Sequence, residues 1–262
     1  MPTLPSQSDS DPPQPGFPQR RDEWKNMDQV AYAYHLKQWT EQKQSTKRFA
    51  DFIDDSLSEA QEVIDLGCGA GAATFCLAQK HPQTRIVGVD YSADLIALAG
   101  QLAADKQMPN LQFETGDWFD LNRRSGIDGV VSLQTLSWLP GFEKPLEEIF
   151  EKLNPKWVAL TSLFYEGDIS CTIEVDEHSR KRRSFYNVYS IPAVMRHAGK
   201  FGYKVSRKLR FVIDIDIEKP ANADHMATYT VLSKDSAGVF DERLQISGPL
   251  LMSWYFLLIE QT

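Results

Sequence analysis

The sequence predicts a doubly wound α/β fold built on a mostly parallel sheet, and three observations carry that expectation. An apolar run, Val63 to Leu66, leads into glycines at 67, 69 and 71 and then into a helical stretch of small residues. That is the pattern of a buried strand, a tight turn and a helix packed back on the strand. Apolar runs and helical patterns then alternate from Arg85 to Leu163, as in successive βαβ units. Past a helix opening at Ser190, the last two core strands, Lys204 to Ile217 and Ser253 to Glu260, follow one another without a helix between them.

Size and composition narrow the classes. A chain of 262 residues suits one α/β domain with an appendage, or at most two small domains. Hydrophobic content of 42% and charged content of 24% are ordinary for a soluble globular protein. A net charge of −8 argues against a nonspecific nucleic-acid binder, which needs excess Lys and Arg for phosphate contact. The longest apolar stretch, Pro249 to Ile259, is too short to span a bilayer, so no membrane role is expected. Cys68, Cys76 and Cys171 have no metal-ligand spacing and cannot all pair. Reduced thiols in a cytoplasmic protein account for them, and no metal site is expected.

Residues 1–20 hold six of the 14 prolines, lack an apolar core and read as a disordered tail rather than a signal peptide. Residues 21–60 read as a helical N-terminal segment. Asp22 to Trp39 is helical in pattern and carries Trp24, Tyr32, Tyr34, His35 and Trp39, while Ser45 reads as the N-cap of a second helix through Phe49, Phe52 and Ile53. The aromatics either dock these helices on the sheet or wall a pocket.

The glycine loop follows the first strand. One glycine makes the turn, one lets a ligand approach the backbone and one lets the helix lie close. Gly67-x-Gly69-x-x-Ala72 also satisfies the dinucleotide-binding pattern. After the helix Ala72 to Lys80, Arg85 to Asp90 reads as the second strand and ends in an acid 19 residues beyond Gly71. That is the βαβ distance to a carboxylate that accepts hydrogen bonds from ribose hydroxyls. The bland alternative is that Asp90 caps the next helix, but Ser92 is the better cap. A helix with Leu95, Leu98, Ala99 and Leu102 on one side follows.

The third strand, Leu111 to Thr115, runs into Gly116-Asp117-Trp118, and the fourth, Ile127 to Leu133, into Gln134-Thr135-Leu136-Ser137-Trp138. A helix from Phe142 to Leu153 stops at Asn154-Pro155. Strand five, Trp157 to Leu163, delivers Tyr165, Glu166 and Asp168 to the edge where open α/β sheets bind ligands. Two insertions are expected, near 165–189 and 218–248. The first carries His178 among carboxylates and the basic run Arg180 to Arg183; the second reads as a hairpin of Thr228 to Ser233 with Arg243 to Ile246.

Asp65 with Gly67-x-Gly69-x-Gly71, then Asp90, then Asp117, each at an expected strand end, resembles the motifs of the class I S-adenosylmethionine-dependent methyltransferases over roughly Glu62 to Glu260. The resemblance implies a seven-stranded sheet with an antiparallel final strand, a domain over 61–262, and the N-terminal helices as a lid. It makes S-adenosylmethionine the cofactor, with Asp65, Gly67, Gly69, Gly71, Asp90, Tyr91, Asp117, Trp118 and Gln134 around it. Asp117 would accept from the adenine amino group and Trp118 would flank the ring. Tyr34, Trp138, Tyr165 and Asp168 are substrate-side candidates, and His35, Glu166 and His178 are base candidates by position. No Asn-Pro-Pro-Tyr motif, catalytic cysteine loop or metal-ligand set is present, which points to a small polar methyl acceptor. The reaction expected is in-line displacement of the methyl by a substrate oxygen or nitrogen. The sequence is compatible with a homodimer, and the Pro-rich tail, if not slack, would be a peptide ligand for a partner. Two rivals remain. An NAD(P)-dependent oxidoreductase would use the same loop but lacks a Tyr-x-x-x-Lys pair here; a cofactor-binding partner protein would bind without turnover.

Overall fold

The computed structural model describes residues 29–177, 182–218, 228–234, 237, 240–247, 250–251 and 253–261. The expected Pro-rich tail, Trp24, His178 and the start of the basic run lie outside the described residues. In chain order the elements are α1 (Gln29–Thr40), α2 (Gln44–Phe52), α3 (Asp54–Ser58), β1 (Glu62–Leu66), α4 (Ala72–Lys80), β2 (Arg85–Asp90), α5 (Ala93–Ala104), β3 (Leu111–Thr115) and β4 (Gly129–Leu133). They continue with α6 (Glu143–Glu148), β5 (Trp157–Tyr165), β6 (Glu174–Glu177), β7 (Arg182–Phe185), β8 (Tyr189–Ser190), α7 (Ile191–Gly199), β9 (Tyr203–Phe211), β10 (Thr228–Lys234), β11 (Phe240–Ser247), β12 (Leu250–Leu251) and β13 (Ser253–Gln261).

Seven strands run in the order β3-β2-β1-β4-β5-β13-β9, with β8 added beside β5. From β3 to β5 all neighbours are parallel, whereas β13 is antiparallel to both β5 and β9. The sheet is covered on both faces because alternate strand residues point to opposite sides. Ile64, Leu66, Val87, Val130, Val158, Leu257 and Ile259 face Leu146 of α6 and Val194 and Ala198 of α7. Val63, Ile86, Val131, Ala159, Phe256 and Leu258 face Phe49, Ile53 and Leu57 of the N-terminal helices and Phe75 and Leu77 of α4. The expected N-terminal helices are therefore part of one wall of the core as well as a cover.

Local signals decide the helix ends. Ser92 and Ser190 accept from the backbone N–H groups of Leu95 and Ala193, as caps do. Ser45 does not cap α2: the residue preceding that helix is Lys43, and Ser45 lies buried inside the first turn. The helix after Phe142 widens into a π-turn over Ile149–Leu153 and ends at Asn154, which adopts φ +43° before Pro155. The strand expected to reach Ile217 ends at Phe211. The second insertion forms a three-stranded sheet, β10-β11-β12.

The first insertion folds as the hairpin β6–β7 and is fastened to the loop after β4 by Asn187. This fully buried amide donates to Leu139 O (2.8 Å) and Tyr189 Oη (3.0 Å) and accepts from Ile173 N–H (2.9 Å). Replacing it strands buried partners, so Asn187→Ala should lower unfolding free energy by about 2–3 kcal/mol. Urea denaturation measures this; a change below about 0.5 kcal/mol would contradict the fastening role.

Candidate active site

The glycine loop is held by the neighbouring strand. Gly67 and Cys68 N–H both donate to Val89 O, at 2.8 and 3.1 Å, and Gly71 N–H donates to Cys68 O at 3.0 Å. Gly67, Gly69 and Gly71 adopt φ of +73°, +57° and +80°, the left-handed region that glycine enters without strain. Their surroundings divide the work. A Cβ on Gly67 would strike the Thr135 side chain, and one on Gly71 would strike the Phe113 ring. A Cβ on Gly69 would meet nothing closer than His35 Cε1, at 3.4 Å. Gly67 and Gly71 are packed from within, and Gly69 faces the His35 ring of α1.

Asp90 ends β2 directly beside this loop. One carboxylate oxygen accepts from Gly69 N–H (2.8 Å) and the other from Ser92 N–H (2.9 Å). Burial raises its pKa, against the pull of the N–H groups of Ser92, Gly69 and Tyr91. A carboxylate offers about four acceptor sites, so beyond these N–H groups Asp90 keeps room for a ligand hydroxyl. Tyr91 is half-buried on the turn that follows. Asp117 joins the same rim, since Asp90 pairs in register with Thr115 and Gly116 N–H donates to Asp90 O at 3.0 Å. Asp117 Oδ1 accepts from Phe119 N–H (2.8 Å), which fixes the turn.

Two acid-rim expectations need correction. Asp65 does not reach the open side of the loop: it is buried beneath it, accepting from Thr74 Oγ1 at 2.7 Å, and its other oxygen is buried without a hydrogen-bond partner. Burial, with the Asp90 charge adding to it and the Thr74 bond opposing, pushes its pKa up to about 7. Trp118 does not present its ring to a ligand. Its indole is in the core and donates to Pro145 O at 3.0 Å, because an indole N–H buried there requires an acceptor.

α1 is anchored to the loop. Trp39 Nε1 donates to Ala70 O at 2.7 Å and stacks on Phe75, with centroids 4.8 Å apart. This places His35 over Gly69 and the exposed Tyr34 edge-on to His35. Burial, with help from the Lys43 charge, holds His35 below the ordinary imidazole pKa, so its ring is neutral at neutral pH. Gln134 sits opposite, at φ +62° just past β4, with its amide between Lys43 Nζ (3.3 Å) and Ser45 Oγ (3.2 Å). Lys43 and Trp39 were not marked as site residues by the sequence. A lysine in the polar run Glu41-Gln42-Lys43-Gln44 carries no distinguishing signal, and Trp39 read as a packing aromatic.

The acids after β5 are engaged in ion pairs. Glu166 pairs with Lys208 of β9 at 2.8 Å, Asp168 pairs with Arg196 of α7, and all four side chains are exposed. Lys208 and Arg196 hold the two carboxyls below the usual range. Engaged with cations in this way, they make weak bases. Tyr165 is exposed beside them. Trp138 is half-buried and packs edge-on against Tyr186 of the first insertion, with centroids 4.9 Å apart.

The sequence model of a family described as a methyltransferase domain matches residues 57–219. Trans-aconitate 2-methyltransferase of Deinococcus radiodurans is 42% identical over 94 residues, 36% of this chain and 34% of that protein. Release factor glutamine methyltransferase of Aliivibrio fischeri is 28% identical over 138 residues, 52% of this chain and 47% of that one. The chain thus spans between a third and a half of the length of these curated relatives. Magnesium protoporphyrin IX methyltransferase of Synechocystis, solved with bound S-adenosylhomocysteine, shares the fold at a TM-score of 0.54 and 14% identity, over 90% of this chain and 89% of that one. The YcgJ protein of Bacillus subtilis shares it at 0.53 and 14%, over 82% of this chain and 99% of that one. The chain belongs to the class I S-adenosylmethionine-dependent methyltransferases.

The loop geometry separates the glycines. Gly69→Ala should cost only the left-handed penalty, about 1–2 kcal/mol. Gly71→Ala adds collision with Phe113 and should cost about 2–5 kcal/mol. Equal losses in chemical denaturation would refute the division. Asp65 yields a pH prediction. Its folded pKa lies above its unfolded value, so the native state binds the proton more tightly. Stability is therefore highest below about pH 4 on this account and falls as pH rises towards about 7. Between pH 5 and 8 the wild type should lose about 2 kcal/mol more than Asp65→Asn; parallel pH profiles would show that Asp65 is ionised throughout.

Proposed function

We propose that this methyltransferase holds S-adenosylmethionine along the rim made by the glycine loop, Asp90 and Asp117, and methylates an oxygen or nitrogen of a small polar molecule. The observation that carries the cofactor half is the pairing of Gly69 with Asp90. A left-handed glycine whose Cβ position meets only the His35 ring and an acceptor carboxylate stand side by side, joined by one hydrogen bond. That donor and acceptor set fits an adenosyl group. Asp90 can accept from the ribose hydroxyls and Asp117 from an exocyclic amine, while the start of α4 offers unpaired backbone N–H groups. When bound, the cofactor supplies a methyl group on a sulfonium that is its own leaving group.

The task left to the protein is to place the acceptor in line and to exclude water. Tyr34 and His35 of the lid, with Gln134 opposite, are the side chains positioned for this. Among the described base candidates, His35, held neutral beside the glycine loop, is the one that can take the proton of a hydroxyl acceptor. The small-acceptor reading is supported by the net charge of −8 and by relatives whose names state a small acid as substrate. A cytoplasmic location is part of the reading, in keeping with three free cysteines. Among the described residues, no helix is long and apolar enough to cross a membrane. The oxidoreductase alternative fits less well, because β13 enters antiparallel where a dinucleotide-binding sheet would continue with parallel βα units.

Isothermal titration with S-adenosylhomocysteine and with NAD(H) tests the cofactor half. S-adenosylhomocysteine should bind and NAD(H) should not. Asp90→Ala should weaken binding by about 1.5–3 kcal/mol, the scale for hydrogen bonds to a charged group. Binding of NAD(H) alone, or unchanged affinity in the variant, would overturn the assignment.

A further inference from the structure

Lys43 lies between α1 and α2, and its surroundings are unusual for a half-buried cation. Its ammonium donates to Tyr34 Oη at 2.6 Å and to Gln134 Oε1 at 3.3 Å, and both partners are uncharged. It stands 5.1 Å from the centroid of the Tyr34 ring. Lys80, Lys144, Lys156 and Lys208 each sit on a carboxylate, but among the described residues no acid lies within ion-pair distance of Lys43. An ammonium carries three donors, and two of them are spent on neutral oxygens. An incompletely solvated cation without a counter-charge favours an anion in its neighbourhood.

The location gives that anion a role. Gln134 places Lys43 beside the loop after β4, where Thr135 Oγ1 donates to Gly67 O at 3.0 Å. Through Tyr34, Lys43 borders His35, which overhangs Gly69. The cation therefore stands at the mouth of the glycine loop, on the lid side, with Tyr34 and Gln134 holding it in place.

We propose that Lys43, oriented by Tyr34 and Gln134, receives a ligand carboxylate. This rests on the cofactor reading above. Two sources share that chemistry: the amino-acid end of the cofactor and a carboxylate on the methyl acceptor. A tetrahedral ammonium with one free donor binds a carboxylate as a point charge, without the two-pronged geometry of arginine. Lys43 is a binding residue here and takes no part in bond making.

Calorimetry on wild type, Lys43→Met and Lys43→Arg separates the sources. The probes are S-adenosylhomocysteine and 5′-methylthioadenosine, which keeps the nucleoside but lacks the amino-acid end. Turnover with S-adenosylmethionine is followed in parallel on trans-aconitate, citrate and succinate. If the cofactor supplies the carboxylate, Lys43→Met loses tenfold or more for S-adenosylhomocysteine, keeps its affinity for 5′-methylthioadenosine, and Lys43→Arg recovers most of the loss. If the acceptor supplies it, cofactor affinity is unchanged and KM for the acid rises tenfold or more with kcat held. Equal loss for both nucleosides would mark a structural effect and overturn the proposal. Unchanged S-adenosylhomocysteine affinity would also overturn it if KM for the acid were unchanged or no acid were turned over. Wild-type protein that binds neither nucleoside would sink the cofactor reading itself, and this inference with it. Wild-type binding with failure confined to Lys43→Met comparisons would overturn the Lys43 assignment alone.

Discussion

The hydrogen bond from Gly69 N–H to the Asp90 carboxylate ties the tip of one strand-to-helix turn to the end of the neighbouring strand. The rest of the rim depends on it. Parallel pairing of β1 with β2 brings Leu66 against Val89, and Val89 O then accepts from the first two N–H groups of the loop. The loop cannot drift from the strand without breaking three hydrogen bonds to adjacent residues. Pairing of β2 with β3 extends the same register to Asp117. A ligand held by Asp90 and Asp117, as proposed, would be braced by the ends of β2 and β3.

Burial around this point explains the division among the acids. Asp65, under the loop, is cut off from water and favours its neutral form, while Asp90 keeps its charge acceptable through backbone N–H donors. Two charges so close in a dry site would repel, so raising one pKa relieves the other. The lid adds a third constraint. Trp39, bonded to Ala70 O and stacked on Phe75, and Leu36, packed on Ala70 and α5, help set where Tyr34 and His35 stand relative to Gly69.

The fold was legible because it rests on local patterns. The apolar runs of β1, β2, β4, β5 and β13, the serine caps at 92 and 190, and the absence of a helix pattern between the last core strands each carry a direct structural meaning. The glycine loop was legible where backbone chemistry dictates residue type, as at Gly67, Gly69 and Gly71, whose φ angles are all positive. The sequence misled where the direction of a side chain decides. Trp118 and Asp65 occupy the expected positions but point inward, because an apolar indole and the underside of a tight turn belong to the core. Glu166 and Asp168 follow β5 as expected, yet Lys208 and Arg196, distant in sequence, claim them. Ser45 read as a cap because its neighbours resemble one; its actual partner, Gln134, lies 89 residues away. Long-range side-chain pairing of this kind leaves no periodic trace in the chain.

On the proposed reading, the Gly69–Asp90 rim receives an adenosyl group. A crystal structure with S-adenosylhomocysteine bound tests it most directly. The account predicts ribose hydroxyls within hydrogen-bond distance of the Asp90 carboxylate and the nucleoside passing over Gly69. A nucleoside bound elsewhere, with Asp90 still engaged only by backbone N–H groups, would contradict it.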